Sequence, residues 1–121
     1  MVVGVKADSG AHTVVKGTGR FALSMLGKDQ KSLAFTFFKP AKVENGLLSG
    51  QAFHLGANRT PILDDAIAAV GCAVRQMVEL GDHHIFVAEV TEAVVMKPPT
   101  GGADAAILEM KDLGDTVYYG G

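Results

Sequence analysis

The sequence predicts a mainly β domain carrying two short helices, and three observations lead there. Fifteen glycines among 121 residues point to many turns between short strands. Gly81-Asp82 suits a tight turn. The β-rich run from Ile85 to Val95 behind it needs a strand partner, and the stretch before the turn can supply one.

The elements follow in order. Val2, Val3 and Val5 are β-branched and open the chain as though already inside a strand, which Asp8-Ser9-Gly10 breaks. Ser9 is placed to cap a short helix running through Val15 and ended by Gly17 and Gly19. Residues 21–26 read as a strand. Asp29 offers a cap to a second helix with Leu33, Phe37 and Phe38 on one side, stopped by Pro40. Residues 41–61 are polar, glycine-rich and weakly periodic, so short strands are expected only around Leu47 and Ala52-Phe53.

Residues 64–80 fit two patterns. Ile67, Val70, Val74, Met77 and Leu80 recur at helical spacing, and Asp64-Asp65 would suit a helix start. Val70, Cys72, Val74, Gln76 and Val78 also alternate as a strand does. The Gly81 turn decides for the strand, giving a long hairpin with residues 67–79 paired to 84–96. Beyond it, Pro98-Pro99-Thr100-Gly101-Gly102 reads as a turn, residues 106–110 as a strand, and Tyr118-Tyr119-Gly120-Gly121 as a tail.

Composition limits the function. At 48% hydrophobic and 20% charged the chain is globular, and its length fits one domain over residues 1–121. A net charge of −2 with no Lys/Arg cluster gives no field for nucleic acid, and the absence of Trp argues against a base-stacking platform. No apolar run approaches bilayer length and no secretory core precedes the first strand, so no membrane is expected and the cytoplasm is the expected compartment. Cys72, the single cysteine, fits a reducing environment and reads as a buried, inert thiol. His12, His54, His83, His84 and Cys72 match no compact zinc spacing, so no metal is expected. Neither a strained nucleophile turn nor a phosphate-cradling Gly-x-x-x-x-Gly-Lys loop is present.

Several segments, in order, resemble the flavin reductase-like, FMN-binding split-barrel family. Ser9 to Leu26 is similar to its polar loop, short helix and Gly-x-Phe-Ala strand. Gln30 to Phe37 resembles its Gln-x-x-Leu-Ala-x-x-Phe helix, and Thr60-Pro61-Ile62-Leu63 with Ala66 to Val74 its Pro-Ile-Leu and Cys-bearing strand. Gly81-Asp82-His83 through Val90 resembles its Gly-Asp-His segment. The resemblance implies a Greek-key-like split β-barrel that is incomplete at its N-terminal strands, because the leading strands and Thr/Ser-rich loop of the family are not in this sequence. Ala11 stands before His12 where the family often has threonine.

The same resemblance implies FMN as cofactor, NADH or NADPH as co-substrate, and a homodimer with the flavin at its seam. It assigns Ser9, Gly10 and His12 to the flavin phosphate at a helix start, where unpaired N–H groups favour an anion, and Ser24 to the flavin itself. Gly81, Asp82 and His83 fall to the nicotinamide side, with His83 as the group that contacts the reacting partners. Hydride transfer asks the protein to align two rings and exclude water rather than to supply an acid or base. His84 is expected to face the other side of its strand, toward solvent. Tyr118 and Tyr119 are candidates to cover a flavin or a subunit seam. The competing reading is a truncated barrel that pairs with a partner or binds another ligand without redox turnover.

Overall fold

A computed structural model describes residues 1–117; the tyrosine-bearing tail expected at a flavin or subunit seam lies outside the described residues. The elements are β1 (Val2–Lys6), α1 (Gly10–Thr18), β2 (Arg20–Met25), α2 (Lys31–Thr36), β3 (Val43–Glu44), β4 (Leu47–Leu48), β5 (Phe53–Leu55), β6 (Pro61–Leu63), β7 (Ala68–Val78), β8 (His83–Val95) and α3 (Ala103–Ala106), followed by a 3-10 turn, Met110–Leu113. Four strands form one antiparallel sheet in the order β1-β8-β7-β2. β3 pairs with β4, and β5 with β6, in two small hairpins. The architecture is the mainly β one that the glycine content and alternation predict.

The long β7–β8 hairpin is its spine, with Val78 opposite Ile85 and Ala68 opposite Val95. Two register shifts, at Gly71/Cys72 and Val74/Gln76, bend the pair as β-bulges do. One face carries the core: Phe21, Cys72 and Ala88 are buried, with Val3, Val15, Leu23, Val70 and Val74 packed around them. Val15 comes from α1, so that helix lies on this face. Cys72 is fully buried, and burial pushes its thiol above the ordinary value, as an inert core thiol requires.

The β5–β6 hairpin docks on the sheet through Ile62 and Leu63, both buried. The Leu63 N–H donates to Ser24 Oγ at 3.1 Å. Asn58 Nδ2 donates to the carbonyls of Phe21 and Cys72, each at 3.3 Å, pinning the loop across β2 and β7.

Four expectations need correction. α1 runs to Thr18 and only Gly19 stops it, at φ 69° with its N–H donating to the Val15 carbonyl; Gly17 sits inside the helix. Asp29 does not cap α2. The cap position is Gln30, whose side chain instead accepts from the Gly27 N–H at 2.7 Å and donates to the Asp65 carbonyl at 2.7 Å. α2 also ends before Phe37 and Phe38; Phe38 turns back onto Phe35, with ring centroids 5.3 Å apart. Residues 106–110 are not a strand. α3 ends at Ala106, Ile107 makes one bridge to Gly27, and the chain then enters the 3-10 turn. The Ala106 carbonyl accepts from the Lys28 N–H and the Leu108 N–H donates to the Leu26 carbonyl, but the pairing goes no further. Glu109 and Asp112 cap one another reciprocally, and the Glu109 N–H donates to Asp112 at 2.8 Å, so from Glu109 on the backbone closes on itself. β6 was not expected from the pattern, although short strands near Leu47 and Phe53 were.

Candidate functional site

The candidate site lies at the end of the sheet where β1 leaves and β8 enters. Antiparallel pairing sets Lys6 opposite His83 and Val5 opposite His84. The Ala7 N–H then donates to the Asp82 carbonyl at 2.8 Å. This ladder brings the 7–12 segment against the Gly81–Asp82 turn and the start of β8, although 72 positions of sequence separate His12 from His84.

Ser9 caps α1. Its Oγ accepts from the His12 N–H at 3.1 Å and donates to the Lys6 carbonyl at 2.8 Å. The hydroxyl proton is therefore spent within the cap. Gly10 opens the helix with nothing within 4 Å of the place a Cβ would occupy, so the first-turn backbone is open to approach. Gly81 has φ 72°, a conformation that strains any residue with a Cβ. Asp82 Oδ1 stands 3.2 Å from His83 Nδ1; this contact, with the charge of His83 beside it, holds the Asp82 carboxyl below its ordinary value.

His12 is 6% exposed. Its Nε2 shares a hydrogen bond with His84 Nδ1 at 2.8 Å, and its ring lies against Phe86, centroids 5.5 Å apart. The expectation that His84 is solvated is thus corrected: it does face away from His83, but onto α1. The signal was available, since His84 shares parity with the buried Phe86 and Ala88. By the same alternation His83 points to the opposite face of β8 from His12.

The structure therefore gathers Ser9, Gly10, His12, Gly81, Asp82 and His83 at one end, with the two histidines on opposite faces. Ser24 is elsewhere. On β2 it pairs with Ala69 of β7, toward the far end of the β7–β8 hairpin, and its hydroxyl serves β6. The remaining histidine, His54, sits 2.6 Å from Asp64 Oδ1 on the β5–β6 hairpin. Among the described residues no three His, Cys, Asp or Glu side chains stand together as a metal site, and no helix is long and apolar enough to cross a membrane.

A curled antiparallel sheet with a capped helix on one face and a glycine turn at its end defines a split-barrel domain. The chain belongs to the family described as flavin reductase like domain, whose model matches residues 1–111. It is 38% identical over 84 residues to the reductase component of 4-nitrophenol 4-monooxygenase/4-nitrocatechol 2-monooxygenase of Rhodococcus opacus, a match covering 69% of this chain and 43% of that protein. It is 36% identical over 80 residues to the NADH-dependent flavin reductase StyB of Pseudomonas fluorescens, covering 66% and 45%. Among solved structures, the styrene monooxygenase flavin reductase of Pseudomonas putida S12 superposes with a TM-score of 0.66 at 31% identity, over 80% of this chain and 60% of that one. The NADH:FAD oxidoreductase SgcE6 of Streptomyces globisporus gives 0.68 at 29% identity, over 78% and 57%. The chain thus spans about half the length of the curated relatives it matches.

Proposed function

We propose that this chain binds a flavin, FMN in the first instance, and passes electrons to it from NADH or NADPH as part of a homodimer. The observation that carries this reading is the hydrogen-bonded meeting of the segment leading into α1, at Lys6 and Ala7, with the Gly81–Asp82–His83 turn in a domain of the flavin reductase family. Relatives described as NADH-dependent flavin reductase and NADH:FAD oxidoreductase support both the flavin and the nicotinamide.

The residues fit a flavin phosphate in one particular way. Ser9's hydroxyl is committed to Lys6 and His12's ring is buried on β8, so the backbone N–H groups of Gly10 and Ala11 are the donors the geometry offers. They are favoured by the open space at Gly10 and by the positive end of α1. Ser9 and His12 then act by holding that turn still. The flavin, when bound, supplies the redox chemistry. On the other face His83, oriented by Asp82, would seat the nicotinamide, and Gly81 leaves that approach clear.

The test is a spectrum and a titration. Protein mixed with FMN should show the bound-flavin bands, melt at a higher temperature, and reduce FMN on addition of NADH or NADPH. FMN should bind more tightly than riboflavin, because only FMN carries the phosphate. Protein that stays colourless with an unmoved melting temperature would defeat the reading.

A further inference from the structure

We propose that His12 and His84 form a proton-operated latch that holds the start of α1 on β8 and releases it when both rings are charged. The latch stands on the geometry of the chain alone and does not depend on flavin binding.

The argument is a count of hydrogens. His12 Nε2 and His84 Nδ1 lie 2.8 Å apart, so one proton sits between them and one of the two nitrogens must accept. Two neutral rings satisfy this. With one added proton a neutral ring still accepts from a charged one, and the bond gains charge assistance. With a second added proton every ring nitrogen carries hydrogen, and two N–H groups face each other with no acceptor between them. That state also places a charge on His12, which is 6% exposed and lies edge-on to His84 and against Phe86, at centroid distances of 4.8 and 5.5 Å. Burying an unpaired charge there is costly, so the second proton enters only as the helix start lifts from the strand.

The charged surroundings do not rescue the doubly charged pair. Glu79, just past β7, is the acid near enough to respond to both rings. Its carboxyl is held below its ordinary value by the bond to Lys16 first and by the two histidines in addition. Glu79 bonds the Lys16 ammonium of α1 at 2.6 Å, so its charge is already matched. From β1, Lys6 reaches Asp8 at 3.7 Å, and in the turn Asp82 faces His83. β2 presents Phe21 and Leu23 to this face.

Amide hydrogen exchange on the full chain, read by NMR between about pH 8 and pH 5 where an imidazole ordinarily changes charge, tests the latch. After correction for intrinsic rates, α1 amides should exchange about tenfold faster per pH unit once the second proton is being taken up, since one proton is bound per opening. Amides of β7 and β8 should keep their protection. Imidazole nitrogen shifts should show the rings in complementary hydrogen-bonded forms at high pH. His84→Gln retains an acceptor at every pH and should abolish the acid acceleration while leaving α1 protected. Two rings that charge fully with no change in α1 exchange would overturn the proposal, as would His84→Gln loosening with the wild-type slope. The wild-type profile decides alone if that variant folds poorly.

Discussion

His83 and His84 are neighbours in sequence, yet the pleat sends their rings to opposite faces, and their partners differ accordingly. His83 keeps 38% of its side chain exposed beside Asp82, whereas His84 is tied to a buried ring. On the proposed function, His83→Ala should slow flavin reduction by NAD(P)H about tenfold to a hundredfold, the scale of a lost alignment, and change flavin affinity far less. Equal losses in both, measured by stopped flow and by titration, would remove His83 from the nicotinamide side. Asn58 does a structural job of comparable specificity. Its amide bridges two strand carbonyls, and its oxygen accepts from both the N–H and the hydroxyl of Thr60, itself 6% exposed. Asn58→Ala should cost about 2 kcal/mol, because it strands buried polar groups, and urea unfolding would show it; a loss under half of that would mean water replaces the amide. Read as sequence, Asn58 looked like a loop residue in a weakly periodic stretch, since nothing local announces a partner on β7. Gly81 was legible because turn chemistry is local; the His12–His84 bond was not, because it joins residues that only the ladder brings together.

At the scale of elements, the long hairpin was readable from alternation and a glycine turn, and it is the frame on which all else hangs. The 98–113 segment was not. Ala106 to Met110 is too short for period to separate strand from helix, and the decisive interactions are Asp112's, to Glu109 within the turn and to Lys28 across the fold at 2.6 Å. β6 escaped notice because Pro61 leads it, yet a proline at the first residue of an edge strand forfeits no needed donor. The Lys28 tie carries a pH prediction. Lys28's bond first, then the Glu109 N–H, hold the Asp112 carboxyl below its ordinary value. A carboxyl whose folded value is depressed contributes fully above its unfolded value, about pH 4, and the contribution is lost as pH falls through the lower, folded one. Exchange protection in the 3-10 turn should therefore persist at pH 5 and fade below about pH 4. In Lys28→Met it should fade at higher pH; an unshifted profile would show that Lys28 does not hold the turn.

At the scale of the molecule, β1 and β2 are the two outer strands of the sheet, and the face of β1 and β8 away from α1 carries Val2, Ile85 and Val87 at 64%, 41% and 36% exposure. An apolar row of this kind beside His83 supports the proposed two-fold pairing. Light scattering should give twice the chain mass, and Ile85→Lys should halve it; a wild-type monomer would refute the dimer. The same sheet order has a kinetic consequence. The Met1 ammonium donates to the Ala88 carbonyl across 87 positions of sequence, and the Ala7–Asp82 bond closes nearly as long a loop. Such contacts form only after the entropy of closing loops well over half the chain's length has been overcome, so they come late and slowly. The β7–β8 hairpin, closed by a four-residue turn between Val78 and His83, can form first. The candidate site is then the last part of the protein to exist, and recovery of ligand binding during refolding should track the slowest phase rather than the first appearance of β structure.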